Sequence, residues 1–412
     1  MSVAGIIAEY NPFHNGHLFQ IEQLHALGYD TVVCVMSPSV VQRGEGAIFP
    51  TEVRVRSALL CGCDLVLCMP APYAICSAEG FAEAGVRILT ALGCVDALCF
   101  GMEANSVKSI TDIADYLCTD EFKIALQSEL SGGAQYAVAA EKALHGICED
   151  SARILRTPNN ILASEYCKAI KLQGSSLTPI GIRRVGAAHD GGMDIEHNNV
   201  CQSPKTTAEI KTNIASASAL RKELVQKGID AIEPYVPPLA LKAYQDAISQ
   251  GAVLSLKSFE MAVLSRLRML SADALCDIRG TNEGLNNRLY AAVQAARSLD
   301  ELYTLTKSKR YVHARMRRLA LDAALGYTND VNIPVPYIHV LGATEKGRAL
   351  LKIAKDTHTL PMDTSLANLA KSDTSTMQIA NAHSAAEAFT ALCLSSPRNA
   401  TGAYTDKIIM VE

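Results

Sequence analysis

The chain has 412 residues, with 38 Lys and Arg against 42 Asp and Glu, for a formal net charge of −4. A composition of 49% hydrophobic and 19% charged residues excludes a disordered chain, and the length suits two to three domains with at least one sizeable core. The charge gives no whole-protein footprint for nucleic acid, and no run reaches the roughly 18 apolar residues of a spanning helix.

The first apolar run, residues 3–8, has no basic flank and meets Glu9 at once, so no signal peptide is expected and the chain reads as soluble and cytoplasmic. Further runs follow at 31–36, 64–69 and 97–100, each short, continuous and rich in Val, Ile, Leu and Cys, as strands buried on both faces are. Amphipathic stretches at 17–27, 51–61 and 79–92 separate them. This alternation predicts an α/β fold with a Rossmann-like, doubly wound parallel sheet. A largely helical stretch from 107 to 171 leads to one more strand at 177–185, then a loop over 190–204 rich in Gly, Asn, Asp and His. Residues 216–325 read as mainly helical, broken by Pro234, Pro237 and Pro238, and a small α/β appendix ends the chain. The 13 cysteines are odd in number, lack a Cys-x-x-Cys pair and fall in apolar runs, which predicts packing and not disulfides. Cys61, Cys63, Cys68 and Cys76 are dense, but their irregular spacing and the absence of a histidine among them argue against a metal site.

The most informative stretch is Ala8-Glu9-Tyr10-Asn11-Pro12-Phe13-His14-Asn15-Gly16-His17. A buried strand enters an Asn-Pro turn, and a His-x-Gly-His tetrad opens a helix. Ligands of parallel sheets bind at the carboxyl ends of strands, and a helix N-terminus offers free N–H groups to phosphate. Gly16 permits close approach to the backbone, and His14 and His17, three apart, share a face from which both can donate to phosphates. One histidine capping the helix and the other packing is the structural alternative; zinc lacks a third ligand nearby. The second motif, Ala215-Ser216-Ala217-Ser218-Ala219-Leu220-Arg221, places hydroxyls at a helix start and an arginine one turn in, which alone is an ordinary N-cap and together with the first motif makes an anion cradle.

The string Ile6-Ile7-Ala8-Glu9-Tyr10-Asn11-Pro12-Phe13-His14-Asn15-Gly16-His17 resembles the opening of the bacterial tRNA(Met) cytidine acetate ligase family, within the HxGH nucleotidyltransferase-like proteins. The resemblance continues through Val41-Gln42-Arg43-Gly44-Glu45, Ser77-Ala78-Glu79, Phe100-Gly101-Met102-Glu103, Asn159-Asn160-Ile161-Leu162, Arg183-Arg184-Val185-Gly186-Ala187 and Glu283-Gly284-Leu285-Asn286-Asn287-Arg288. It departs at Phe49-Pro50-Thr51, where the family usually has an Asp-Lys pair, and at Cys68, where glutamate is common. The resemblance implies a catalytic ATP-binding domain over 1–230, a helical tRNA-binding region over 231–330 and a small α/β region over 331–412. It implies ATP with Mg2+, acetate activated as acetyl-adenylate, and transfer of the acetyl group to N4 of the wobble cytidine in the anticodon loop of elongator methionine tRNA, with no DNA or membrane partner. ATP would contact Ile7 to Gln20, including Leu18 and Phe19, together with Gly101, Asn159 or Asn160, and Arg183 or Arg184. His14, His17, Ser216 and Arg221 would be catalytic.

Read from the residues, adenylation is an in-line attack by a ready-made carboxylate and needs positioning more than a general base. Between Arg297 and Arg318 the chain carries seven Lys or Arg against two acids, a local balance of +5. Lys307, Lys309, Arg310, Arg315, Arg317 and Arg318 are the expected RNA contacts, the alternative being a solvated basic face. A small-metabolite adenylyltransferase, of the nicotinate mononucleotide or phosphopantetheine type, would need only the two phosphate motifs and leaves this stripe unexplained.

Overall fold

The computed structural model describes residues 1–132, 136–145, 152, 154–184, 213–281, 284–308 and 311–412. The strands in chain order are Val3–Ala8 (β1), Thr31–Met36 (β2), Val40–Val41 (β3), Glu45–Gly46 (β4), Leu65–Cys68 (β5), Ala97–Met102 (β6), Thr178–Arg183 (β7), Ile338–Ala343 (β8), Met362–Asp363 (β9) and Ile409–Met410 (β10). β5, β2, β1, β6 and β7 lie side by side in that order and all run parallel. The order reverses at β1, and the crevice outside the carboxyl ends of β1 and β6 is the place where such sheets bind ligands. The expected loop over 190–204 lies outside the described residues.

Alternation along each strand sends neighbours to opposite layers. Ile7, Val33, Val35, Leu65 and Leu67 pack beneath the Ala78–Leu92 helix and on into the helical region. Ile6, Val32, Cys34 and Val66 face the Asn15–Ala26, Thr51–Leu60 and Pro238–Ser249 helices. Every described cysteine is unbridged, and Cys34, Cys61, Cys63, Cys68, Cys99, Cys167 and Cys393 are buried, as packing residues are. Residues 331–412 extend the same sheet: β8 runs antiparallel to β5, pairing Val66 with Gly342, and carries β9 and β10 beside it.

Arg54, fully buried on the Thr51–Leu60 helix, braces the floor of the crevice. Its guanidinium donates to the main-chain oxygens of Phe49 (3.0 Å), Glu9 (2.7 Å), Ser37 (2.9 Å) and Pro38. Nothing in the helical spacing marks it, because its role is to satisfy the carbonyls left where β1 and β2 end.

Candidate active site

The chain leaves β1 through Tyr10, which takes a left-handed φ of 45° and buries its ring against Phe13 and His17, at centroid distances of 4.8 and 4.9 Å. The Asn15–Ala26 helix starts earlier than periodicity predicts because His14 caps it. Its Nδ1 accepts the Gly16 N–H at 3.0 Å, and His17 Nδ1 accepts the His14 N–H at 3.2 Å. The structural alternative is what the structure shows, both imidazoles accepting main-chain N–H groups through Nδ1, and this leaves each Nε2–H as a donor available to a ligand. The rings stack 3.7 Å apart. A Cβ on Gly16 would lie 3.0 Å from the His14 ring, so glycine at this position gives that ring its room.

Both imidazoles are neutral near pH 7. Burial, then the charges of Arg184 and Arg221, push His14 down to about 3; burial, then His14 and Arg184, lower His17 well below its ordinary value. The second motif faces them. Ser216 caps the Ala217–Lys227 helix, accepting the Ala219 N–H at 3.2 Å, and Arg221 one turn on donates to the main-chain oxygen of Asn11 at 2.7 Å. Burial draws the Arg221 pKa down, opposed chiefly by Glu45. Two helix N-termini and a guanidinium thus converge on one point, a set of donors whose chemistry suits an anion.

A cavity of about 990 Å³ opens from this point. Of the sequence-predicted residues, Ile7, Ala8, Glu9, His14, His17, Asn159, Arg184, Ser216, Arg221, Arg315 and Arg318 line it. Tyr10, Asn11, Pro12 and Phe13 are buried behind the turn. Asn15 ties the helix start to the main-chain oxygens of Asn213 (2.9 Å) and Pro234 (3.1 Å). Leu18 is partly buried against the core, and Gln20 reaches Cys99 Sγ at 3.4 Å. Neither Phe19 nor Gly101 lines the cavity; a Cβ on Gly101 would lie 3.4 Å from Arg184.

Within each pair the structure distinguishes the members. Asn160 is buried and spends its amide on Glu103 N, Ala104 N and Ile154 O, whereas Asn159 faces the cavity between Glu103 and Arg184. Arg184 lines the cavity, and Arg183 is exposed away from it.

The opposite wall is formed by Arg279, Arg315, Arg318 and Asp322. Arg279 and Asp322 were not foreseen; they form a buried ion pair, Nη2 to Oδ1 at 2.6 Å, and Arg279 also donates to Pro72 O at 2.8 Å. The basic stripe is divided in space. Arg315 sits 4.6 Å over the Tyr311 ring, Arg317 pairs with Glu45, and Lys307 is exposed; Lys309 and Arg310 lie outside the described residues. Phe49 stacks on Tyr244 at 4.3 Å, and neither it nor Cys68 lines the cavity.

Away from the cavity, Cys68, His339 and His383 bring metal-type ligand atoms within 4.8 Å of one another. The Ala71 N–H occupies Nδ1 of His383 at 3.3 Å, so Nε2 carries its proton toward Cys68 Sγ, 3.9 Å away. That tautomer presents a hydrogen where a metal needs a lone pair, and His383 with Cys68 reads as a hydrogen-bonded pair.

A strand ending in stacked, helix-capping histidines opposite a serine-capped arginine helix defines a nucleotidyl transferase, and the model of the HIGH Nucleotidyl Transferase family matches residues 1–401. The tRNA(Met) cytidine acetate ligase of Thermoanaerobacter sp. (strain X514) is 37% identical over 374 residues, 88% of each chain, and that of Acetivibrio thermocellus is 33% identical over 90% of each. The crystal structure of Thermotoga maritima TmcAL bound with alpha-thio ATP superposes with a TM-score of 0.89 at 26% identity, covering 100% of both chains. The chain belongs to the tRNA(Met) cytidine acetate ligase family.

Proposed function

We propose that the protein is an ATP-dependent ligase that activates acetate as acetyl-adenylate and transfers the acetyl group to N4 of the wobble cytidine of elongator tRNA(Met). One observation carries the site assignment: the Nε2–H groups of His14 and His17, their tautomers set by main-chain N–H groups, face Arg221 and the Ser216 cap across one cavity. In the first step an acetate oxygen attacks the α-phosphorus, and the bond to the bridging oxygen breaks as pyrophosphate leaves. No proton moves. The imidazole donors and Arg221 stabilise the charge spread over the phosphoryl oxygens. Mg2+ would arrive on the phosphates of ATP and neutralise the leaving pyrophosphate, since this wall offers imidazoles, hydroxyls and a guanidinium in place of carboxylates.

In the second step the N4 amine attacks the acetyl carbonyl, AMP leaves and N4 loses a proton. An anticodon-loop cytidine is already unpaired, so presenting it costs less than flipping a base from a duplex. Asn159 and Arg184 take the nucleoside end of ATP, and Lys307, Lys309, Arg310, Arg315, Arg317 and Arg318 take RNA. Acetate is small, so its pocket gains little binding energy from any one contact. The Tyr166 hydroxyl and Gln42 Nε2, on residues lining the cavity beside Glu9, have no hydrogen-bond partner among the described residues and are suited to its carboxylate. Among the described residues no helix is long and apolar enough to cross a membrane, which suits the cytoplasmic location this reading requires.

The test is incubation with ATP and labelled acetate, with and without bulk tRNA. Acetate-dependent pyrophosphate release with label in tRNA is the expected result. Label that never reaches tRNA, with activity on nicotinate mononucleotide or phosphopantetheine, overturns the reading in favour of a metabolite adenylyltransferase.

A further inference from the structure

One carboxylate is shared between Arg221 of the phosphate wall and Arg317, on the helix that carries Arg315 and Arg318 into the second wall. β3 and β4 pair as a hairpin, Val40 opposite Gly46 and Val41 opposite Glu45. At its tip Gly44 has φ 73°, and a Cβ there would lie 2.5 Å from the main chain of Arg317 and Arg318. The tip is seated on the backbone of the His313–Leu325 helix, where only glycine fits. The hairpin is fastened to the catalytic turn on both sides of its second strand: in the loop Gln42 N donates to Glu9 at 2.9 Å, and past the strand Ile48 N donates to Asn11 Oδ1 at 2.8 Å. From between these anchors Glu45 reaches both ways. Oε1 bonds Arg317 Nη1, and Oε2 lies 3.6 Å from Arg221 Nη2. Arg317 also lies 5.4 Å over the Tyr303 ring, and its buried Nε has no hydrogen-bond partner among the described residues.

We propose that Glu45 is a positioning residue that couples the two walls with negative sign, so that RNA engaging Arg317 weakens the hold of Arg221 on the phosphates of ATP, and the reverse. The proposal rests on the ligase reading, which puts ATP at Arg221 and RNA at the arginine helix. Its physics is competition for a counter-charge. An RNA phosphate that takes Arg317 repels the carboxylate, which moves onto Arg221 and neutralises it. A polyphosphate at Arg221 drives the carboxylate the other way. Coupling of this kind is reciprocal. In a two-step reaction it gives RNA arrival a use, because it loosens pyrophosphate once the adenylate has formed.

The experiment measures affinity for a non-reactive ATP analogue, with and without saturating tRNA at fixed ionic strength. Wild-type affinity is expected to fall about fivefold or more when tRNA binds. Glu45→Gln frees Arg221, so analogue binding without tRNA is at least as tight as in wild type, and the tRNA effect shrinks toward none. Arg317→Gln leaves the whole carboxylate to Arg221 and weakens analogue binding without tRNA. A merely structural role for Glu45 predicts weaker binding in both variants, and opposite directions separate the two accounts. Wild-type affinity indifferent to tRNA, a tRNA effect that survives Glu45→Gln, or weaker binding in that variant overturns the proposal; should Glu45→Gln not fold, the tRNA effect in Arg317→Gln carries the test, since it vanishes there if Arg317 transmits the coupling and its survival overturns the proposal. Wild-type protein that binds both ligands yet never acetylates tRNA sinks the ligase reading instead, and the affinity comparison still stands.

Discussion

The phosphate wall and the arginine wall face one cavity but are built of different materials. On the first, short-range main-chain geometry sets the chemistry: each Nδ1 is held by an N–H within two or three residues, and Ser216 caps its own helix. On the second, and on the helix that carries it, guanidiniums on long side chains are held by groups far away in sequence, Arg279 by Asp322 and the neighbouring Arg317 by Glu45. Local construction gives rigid donors with fixed tautomers, suited to a transition state that tolerates little misplacement. Long-range construction gives charges whose strength depends on what else is bound, suited to a large polyanion that must come and go.

Removing a donor from the rigid wall has the largest expected effect. His14→Ala lowers acetate-dependent pyrophosphate release by about 10²–10³-fold, the usual result of losing one preorganised donor, and leaves tRNA binding within twofold of wild type by filter retention. If both fall together, the walls are not separate. Arg54→Met attacks the floor beneath the rigid wall. It strands the carbonyls of Glu9, Ser37, Pro38 and Phe49, and urea unfolding should show a loss of roughly 3 kcal/mol or more. A loss below ~1 kcal/mol means that water replaces the guanidinium.

Next in size is an acid sensitivity that the rigid wall shares with the buried His339 and His383, which burial lowers to about 3 and about 4. His14 has its folded pKa pushed from about 6.5 to about 3, so below pH 6.5 the unfolded chain takes up a proton that the folded one refuses. Stability is whole above that point and falls toward pH 3, with a slope of up to about 1.4 kcal/mol per pH unit from this group. His14→Asn should narrow the gap between unfolding free energies at pH 7 and pH 5; an unchanged gap assigns the acid loss elsewhere. On the adjustable wall, Arg315→Ala should weaken tRNA several-fold and reduce the salt dependence of binding by about one phosphate contact, while pyrophosphate release without tRNA stays as in wild type. The smallest effect belongs to a position outside both walls: Cys68→Ala should leave the ratio of acetate to propionate use unchanged, and a shifted ratio would bring that strand end into the acyl pocket.

The same contrast explains what the sequence made legible. The strands at residues 3–8 and 31–36 are continuous apolar runs, and both survive as read. The phosphate wall was legible because its parts are contiguous: a strand, a turn, a tetrad and a cap. Composition identified the basic stripe but could not apportion it, since only the fold turns Arg317 onto Glu45 and Arg315 onto Tyr311. Arg279, Asp322 and Arg54 carried no local signal at all, because each is defined by a partner or a set of carbonyls brought to it by tertiary packing. Asn159 and Asn160 are adjacent and identical, so only the direction of the helix that carries them separates a cavity residue from a buried one.

The antiparallel pairing of β8 with β5 bears on how the chain comes off the ribosome. β5 ends at residue 68 and its partner begins at residue 338. At about 5–20 residues per second, synthesis leaves the outer edge of β5 uncovered for roughly 15–50 seconds. During that interval Leu65–Cys68 is an apolar strand edge with no neighbour on one side, the kind of edge on which nascent chains stick to one another. Shortened chains that stop before residue 338 would hold this exposure permanently, and their fate in a cell would be decided by chaperones and proteases before chemistry at the cavity began.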